Sequence, residues 1–125
     1  MLCVKTKLRP SGIHGVGLFA DEPIVAGTIV WKFDEGLDQR FSEGFYATRN
    51  AMLKEFLFTY AWLDASGWIL CADDARFVNH SALPNLGGGK ALVSIALRDI
   101  YLGEELTEDY ETFDLDFPAY EKTLL

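Results

Sequence analysis

The apolar residues of this chain come in short runs, and nearly every run stops at a glycine or a polar cluster. Val16–Ala20 and Gly27–Phe33 ("GTIVWKF") are rich in β-branched and aromatic residues and are separated by the turn-like "DEPIVAG". Trp68–Ala72 ("WILCA") and Ala91–Leu97 ("ALVSIAL") read as strands in the same way, and Glu105–Tyr110 does so more weakly. Gly36, Gly67, the Gly87–Gly89 run and Gly103 mark turns. One stretch breaks this pattern. Phe45, Met52, Leu53, Phe56 and Tyr60 recur at helical spacings behind Ser42, a good N-cap, which predicts a helix from Ser42 to about Tyr60. Short strands around one main helix make an α+β fold that is mostly β. The 125 residues suit a single domain, 1–125, with one modest core.

Half the residues are apolar, with nine Phe, five Tyr and three Trp, so the chain is expected to be globular rather than disordered. No apolar run approaches the roughly 18–20 residues of a membrane span, and no membrane association is expected. The opening "MLCVKTKLRP" lacks the apolar core of an export signal, which makes a cytoplasmic location the expectation. The net charge of −8 is unevenly spread. Residues 1–40 and 41–98 each balance, whereas residues 99–125 carry nine acids and one base, Lys122. Such a surface repels nucleic acid and attracts a basic, lysine-rich partner. It is also compatible with a simple solvated acidic tail.

Two short stretches carry most of the chemical information. "RFVNHSALPN" (Arg76–Asn85) follows an apolar run, with Arg76–Val78 placed to close a strand and Asn79–His80–Ser81 forming a polar break. A serine–histidine nucleophile pair does not suit it, because the two residues are adjacent and no oxyanion motif surrounds them. "NHS" matches a glycosylation sequon, but without an export signal the machinery would not be met. "GEELTEDY" (Gly103–Tyr110) holds four carboxylates and a tyrosine. Nothing around it suggests a sugar site for paired acids. Earlier, "SGIHGVGLFA" (Ser11–Ala20) has a Gly-x-Gly, too little for a dinucleotide site and compatible with a plain turn. Cys3, His14, Cys71 and His80 show no zinc spacing, so no metal is expected.

Each stretch is ambiguous alone, but their order is specific. "GIHGVGLFA" with "IVAGTIV", then "YAWLD" at Tyr60–Asp64, "ARFVNHSALPN" and "IYLGEELTEDY" resemble a SET-domain protein lysine methyltransferase over about residues 4–114, with a short tail at 115–125. The length suits a small stand-alone member of viral or bacterial type. The resemblance implies several short curved sheets and a C-terminal pseudoknot, a threaded connection of a kind that folds otherwise avoid. It implies S-adenosyl-L-methionine as methyl donor, with His14, Gly15, Val16, Gly17, Asn79 and His80 at the cofactor. It makes Tyr110 the catalytic tyrosine and puts Phe33, Tyr60, Tyr110 and Phe113 along a channel for the substrate lysine. The substrate would be a basic, lysine-containing protein or peptide, histone or not, drawn in by Asp109, Glu111, Asp114 and Asp116.

The chain also departs from the family pattern. Ala82 stands where many members have a zinc-binding cysteine, and no cysteine-rich C-terminal segment follows. The C-terminal wall of the channel must come from Phe113, Phe117 and Tyr120, or from the second subunit of a homodimer. Phe33 falls where many members carry tyrosine. Glu108 falls where an aromatic residue often influences how many methyl groups are added; its carboxylate could meet the lysine nitrogen or point outward. These departures keep open an alternative, a catalytically decayed SET scaffold that only binds peptides.

Overall fold

The computed structural model describes residues 1–88 and 92–117. Gly89, Ala91, Tyr120 and Lys122, all part of the sequence reading, lie outside them. The chain opens with a hairpin of β1 (Thr6–Pro10) and β2 (Val16–Ala20), paired from Thr6↔Ala20 to Pro10↔Val16. It continues through β3 (Ile29–Lys32), β4 (Gln39–Phe41), α1 (Glu43–Ala47), α2 (Ala51–Tyr60), β5 (Ala61–Asp64) and β6 (Gly67–Leu70). Four very short strands follow: β7 (Asn79–His80), β8 (Leu86–Gly87), β9 (Val93–Ala96) and β10 (Thr107–Glu108). The strands form three sheets: the β1–β2 hairpin, a three-stranded sheet in the order β4-β6-β5, and a five-stranded sheet in the order β3-β9-β8-β10-β7.

The five-stranded sheet contains the feature that decides the rest. β7 and β8 are consecutive in sequence, yet β10 lies between them, parallel to both, with Thr107 opposite Asn79 and Glu108 opposite His80 and Leu86. The late strand therefore passes beneath residues 81–85, the threaded arrangement expected of a pseudoknot. Asn85, 3% exposed, fastens it: its Nδ2 donates to the Glu105 carbonyl at 2.8 Å and its Oδ1 accepts from the Thr107 N–H at 2.9 Å. A buried amide bonded on both sides fixes register where two-residue strands could not do so by pairing alone.

Two small cores replace the single core expected. Leu18, Val30, Leu86, Ile100 and Leu106 form one under the hairpin and the five-stranded sheet; Leu57, Trp68 and Leu70 form the other under the helices. Leu18 and Leu106 are fully buried, and each contributes about 1.5–3 kcal/mol by leaving water.

Three local readings need correction. The helix predicted over Ser42–Tyr60 is two helices. Ser42 Oγ caps the first, and Asn50 Oδ1 accepts from the Leu53 N–H at 2.9 Å to cap a second. An asparagine that can satisfy an orphan N–H favours starting a new helix over continuing the old one. The stripe used to recognise the helix also lies largely outward: Met52 is 81% exposed, while Leu57 is the buried residue of α2. Next, Arg76–Val78 closes no strand. Asp74–Phe77 is a 3₁₀ turn, started by the Asp73 carboxylate on the Ala75 N–H and held by Arg76 Nη2 donating to the Cys71 carbonyl at 2.9 Å. Finally, the strand expected over Glu105–Tyr110 shrinks to Thr107–Glu108, and Tyr110 begins a second 3₁₀ turn capped by Asp109.

Candidate active site

The loop between β1 and β2 is shaped by Ser11. Its Oγ accepts from the Ile13 N–H at 2.9 Å and the His14 N–H at 3.3 Å, a serine turn that reverses the chain. The same hydroxyl donates to the Glu105 carboxylate at 2.8 Å. Asn79 Nδ2 reaches three acceptors at once: the His14 carbonyl and Glu105 Oε2, both at 3.0 Å, and Ser11 Oγ at 3.1 Å. A Cβ on Gly17 would lie 2.5 Å from Glu105 Oε2, so any side chain there would push that carboxylate out of place. Gly15 has a different role. With φ at +49° and no atom within 4 Å of where a Cβ would be, it forms an open edge between the exposed His14 and Val16. His14, Gly15, Val16, Gly17 and Asn79 thus meet at one polar rim. Ser11 and Glu105, which no sequence argument singled out, hold it together.

His80 joins this rim to the aromatic part of the site. Its Nδ1 accepts the Tyr110 backbone N–H at 3.1 Å, which puts the imidazole proton on Nε2. The His80 ring lies 5.3 Å from the Tyr110 ring and 4.6 Å from that of Phe117, which is buried. The Tyr110 hydroxyl donates to the Val78 carbonyl.

Beyond Tyr110 is a cavity of about 560 Å³, walled by Trp31, Tyr60, Trp62, Tyr110 and Phe113. The rings touch edge to face in sequence: Trp31 with Trp62 at 5.7 Å, Trp62 with Phe113 at 5.5 Å, Phe113 with Tyr110 at 5.5 Å. Such edge-to-face contacts stiffen this part of the wall. Asp114 keeps the last turn against β5, accepting from the Leu63 N–H at 3.2 Å and the Asp116 N–H at 3.0 Å. Burial raises the Asp114 carboxyl above the usual range, and these two hydrogen bonds offset part of that. Burial alone raises Asp116. Of the four acids expected to attract a basic partner, only Glu111 is well exposed; Asp109, Asp114 and Asp116 are half-buried.

Phe33 is not in this cavity. β3 ends at Lys32, and Phe33 turns its ring onto Trp31 at 6.4 Å and under the Arg40 guanidinium at 4.7 Å, lining a separate hollow with Phe41 and Phe45. Trp31, two residues earlier, occupies the wall instead. Trp31 is 6% exposed, and its indole N–H has no acceptor among the described residues. Of the expected C-terminal wall, Phe113 lines the cavity, Phe117 packs behind it on His80 and Tyr110, and Tyr120 lies outside the described residues. Glu108, whose direction the sequence left open, faces into the cavity and accepts from the Ser94 hydroxyl at 2.7 Å.

The threaded strand sets an open glycine edge on one side and an aromatic cavity on the other. Comparison with known proteins identifies the family. The SET domain family profile matches residues 15–111, and the chain belongs to that family. It is 35% identical over 114 residues to human histone-lysine N-methyltransferase 2B, covering 81% of this chain and 4% of that protein. It is 32% identical over 125 aligned positions to a Chaetomium globosum histone-lysine N-methyltransferase, H3 lysine-4 specific, covering 84% of this chain and 11% of that one. A third relative is the histone-lysine N-methyltransferase trithorax of Drosophila virilis, 35% identical over 115 residues, covering 81% of this chain and 3% of the relative. The chain thus spans only a small part of the length of these relatives.

Proposed function

We propose that this protein is an S-adenosyl-L-methionine-dependent lysine methyltransferase acting on a basic protein or peptide. One observation carries the reading: adjacent residues Asn79 and His80 bind the glycine-edged loop and the backbone of Tyr110 respectively, joining the rim to the cavity. The residues present fit the cofactor. The Gly15 edge is clear of side chains, and the exposed His14 and Val16 flank it. When bound, the cofactor supplies a methyl group on a positively charged sulfur. His14, Gly15, Val16, Gly17, Asn79 and His80 would hold it.

The remaining work falls to the chain. An attacking lysine must be neutral, yet its free pKa is about 10.4, so removing the proton at pH 7 costs roughly 4–5 kcal/mol. The aromatic wall lowers that cost by excluding water from the ammonium. Tyr60, Trp62 and Phe113 hold the alkyl stem in line, a gain in positioning. The Tyr110 hydroxyl, its own proton engaged on Val78, accepts from the amine and orients it rather than acting as a base. The names of the relatives make the N-terminal tail of histone H3 the first substrate to try.

The test is transfer of a labelled methyl group onto a panel of histones and cell proteins, beside calorimetric titration of the cofactor. Labelled lysine is the expected result. Cofactor binding without transfer to any protein would favour the decayed, peptide-binding scaffold, and no cofactor binding would end the methyltransferase reading.

A further inference from the structure

His80 holds Tyr110 through a bond that only a neutral ring can make. Nδ1 accepts the Tyr110 N–H at 3.1 Å, and an Nδ1 that carries a proton has no lone pair left to accept with. The neighbouring carboxylate offers a second arrangement. Asp109 Oδ1 lies 3.8 Å from the same Nδ1, too far for a hydrogen bond but close enough to draw an imidazolium. That oxygen now accepts the Glu111 N–H at 3.0 Å and so starts the turn over Tyr110–Thr112. Both side chains are 25% exposed, so water can deliver the proton.

The other carboxyl groups around the ring are engaged elsewhere. Glu108 stands opposite His80 in register, but its carboxyl is on the Ser94 hydroxyl. Glu105 is bound to Ser11 and Asn79. Asp116 adjoins Phe117, whose ring packs on the imidazole, and burial raises its carboxyl. Glu111 is exposed. The strand itself is held by backbone: His80 pairs with Glu108, whose carbonyl accepts the Ser81 N–H at 3.0 Å. A change in the charge of the ring therefore acts on the turn and not on the threading.

We propose that His80 is a proton-dependent positioning residue for Tyr110. Neutral, it fixes the backbone of the tyrosine. Protonated at Nδ1 by solvent, it releases that N–H, pairs with Asp109, and loosens the turn that carries the phenol. Histidine is the side chain suited to such a change between pH 5 and 8. The effect on methyl transfer rests on the reading of the site given above; the rearrangement itself does not.

Nitrogen-15 spectra test the rearrangement without turnover. The chain has two histidines, and the signals of His14 are assigned by their loss in His14→Gln. Between pH 8 and pH 5 the His80 Nδ1 signal is expected to move from the unprotonated to the protonated position. The Tyr110 amide should move with it, and its protection from hydrogen exchange should fall about tenfold. Asp109→Asn keeps a side-chain acceptor for the Glu111 N–H but removes the charge that draws the imidazolium. Its transition should need a solution about half a pH unit more acidic. A His80 ring that stays neutral down to pH 5 overturns the proposal. So does a Tyr110 amide that ignores the titration, or a transition at the same pH in Asp109→Asn. On a peptide that the protein methylates, the acid limb of the kcat profile should shift by the same half unit in Asp109→Asn. The substrate lysine's own ionisation is common to both proteins, so an unshifted profile overturns the positioning role. A protein that shows the spectral transition but methylates nothing upholds the rearrangement and refutes the function proposed above.

Discussion

Around Asn79 the site is held by hydrogen bonds among polar side chains, with Ser11, Glu105 and the His14 carbonyl all within 3.1 Å of one amide nitrogen. Around Tyr110 it is held by rings whose centroids lie 5.3–5.7 Å apart, drawn from β3, β5, β7 and the last turn. The two halves therefore tolerate change differently. A hydrogen-bonded junction needs a particular atom at a particular place, and one wrong atom leaves a donor facing a donor. A wall of rings needs only bulk of the right shape, and neighbouring rings can share the loss. Tyr110 belongs to both halves, through its backbone N–H on His80 and its ring in the wall.

The sharpest way to break that comparison is Tyr110→Phe. The ring contacts and the backbone bond to His80 survive, while the hydroxyl proposed to orient the amine is lost. Turnover is expected to fall about a hundredfold, the scale of a misplaced reacting group. Cofactor affinity, measured by calorimetry, should stay within about twofold, because the polar rim is untouched. Unchanged turnover would remove the tyrosine from the chemistry. A matching loss of cofactor binding would mean that the halves are not separable.

Glu105→Gln probes the other half. The replacement presents an NH₂ group to a junction where Ser11 and Asn79 both donate. One buried bond is lost and a second becomes repulsive, at a cost of about 1–3 kcal/mol in stability. Cofactor affinity should fall about tenfold as the Ser11–Gly17 loop loosens, with KM for peptide little changed. A variant that binds cofactor normally would show that the loop keeps its shape without the junction.

The same contrast explains what the sequence revealed. The polar rim was legible because its chemistry restricts residue types: Asn79, His80 and the Gly15–Gly17 pair stand out against any background. Ser11 and Glu105 were missed as organisers, although the signals existed. A serine opening a glycine-rich turn, and a glutamate in the motif that ends at the tyrosine, were both in view. The aromatic wall was less legible, since the choice among seventeen similar rings is narrowed only by the backbone path, and Phe33 was taken where Trp31 lies. Strand order was invisible in a stronger sense. β7, β8 and β10 have two residues each, too few for any period to register, and a buried Asn85 fixes their pairing instead. The threading entered through family resemblance, not through local pattern.

The smallest expected effect separates scaffold from charge in the last turn. Asp114 was expected to attract a basic substrate, yet its Oδ1 holds the backbone of Leu63 and Asp116. Burial raises its pKa, so the folded protein binds that proton more tightly than the unfolded chain does. Stability then falls as pH rises through the window between the unfolded value, about 3.9, and the raised folded one. The deficit is fully present at neutral pH. Asp114→Asn keeps the acceptor and removes the charge, so it should stabilise the protein by up to about 1 kcal/mol near pH 7 and by almost nothing near pH 3. Urea midpoints at the two pH values measure this. If Asp114 instead served chiefly to attract substrate, the variant would gain no stability and its KM for a basic peptide would rise severalfold at low salt. The comparison of those two readouts decides whether this carboxylate braces the aromatic wall or steers what enters it.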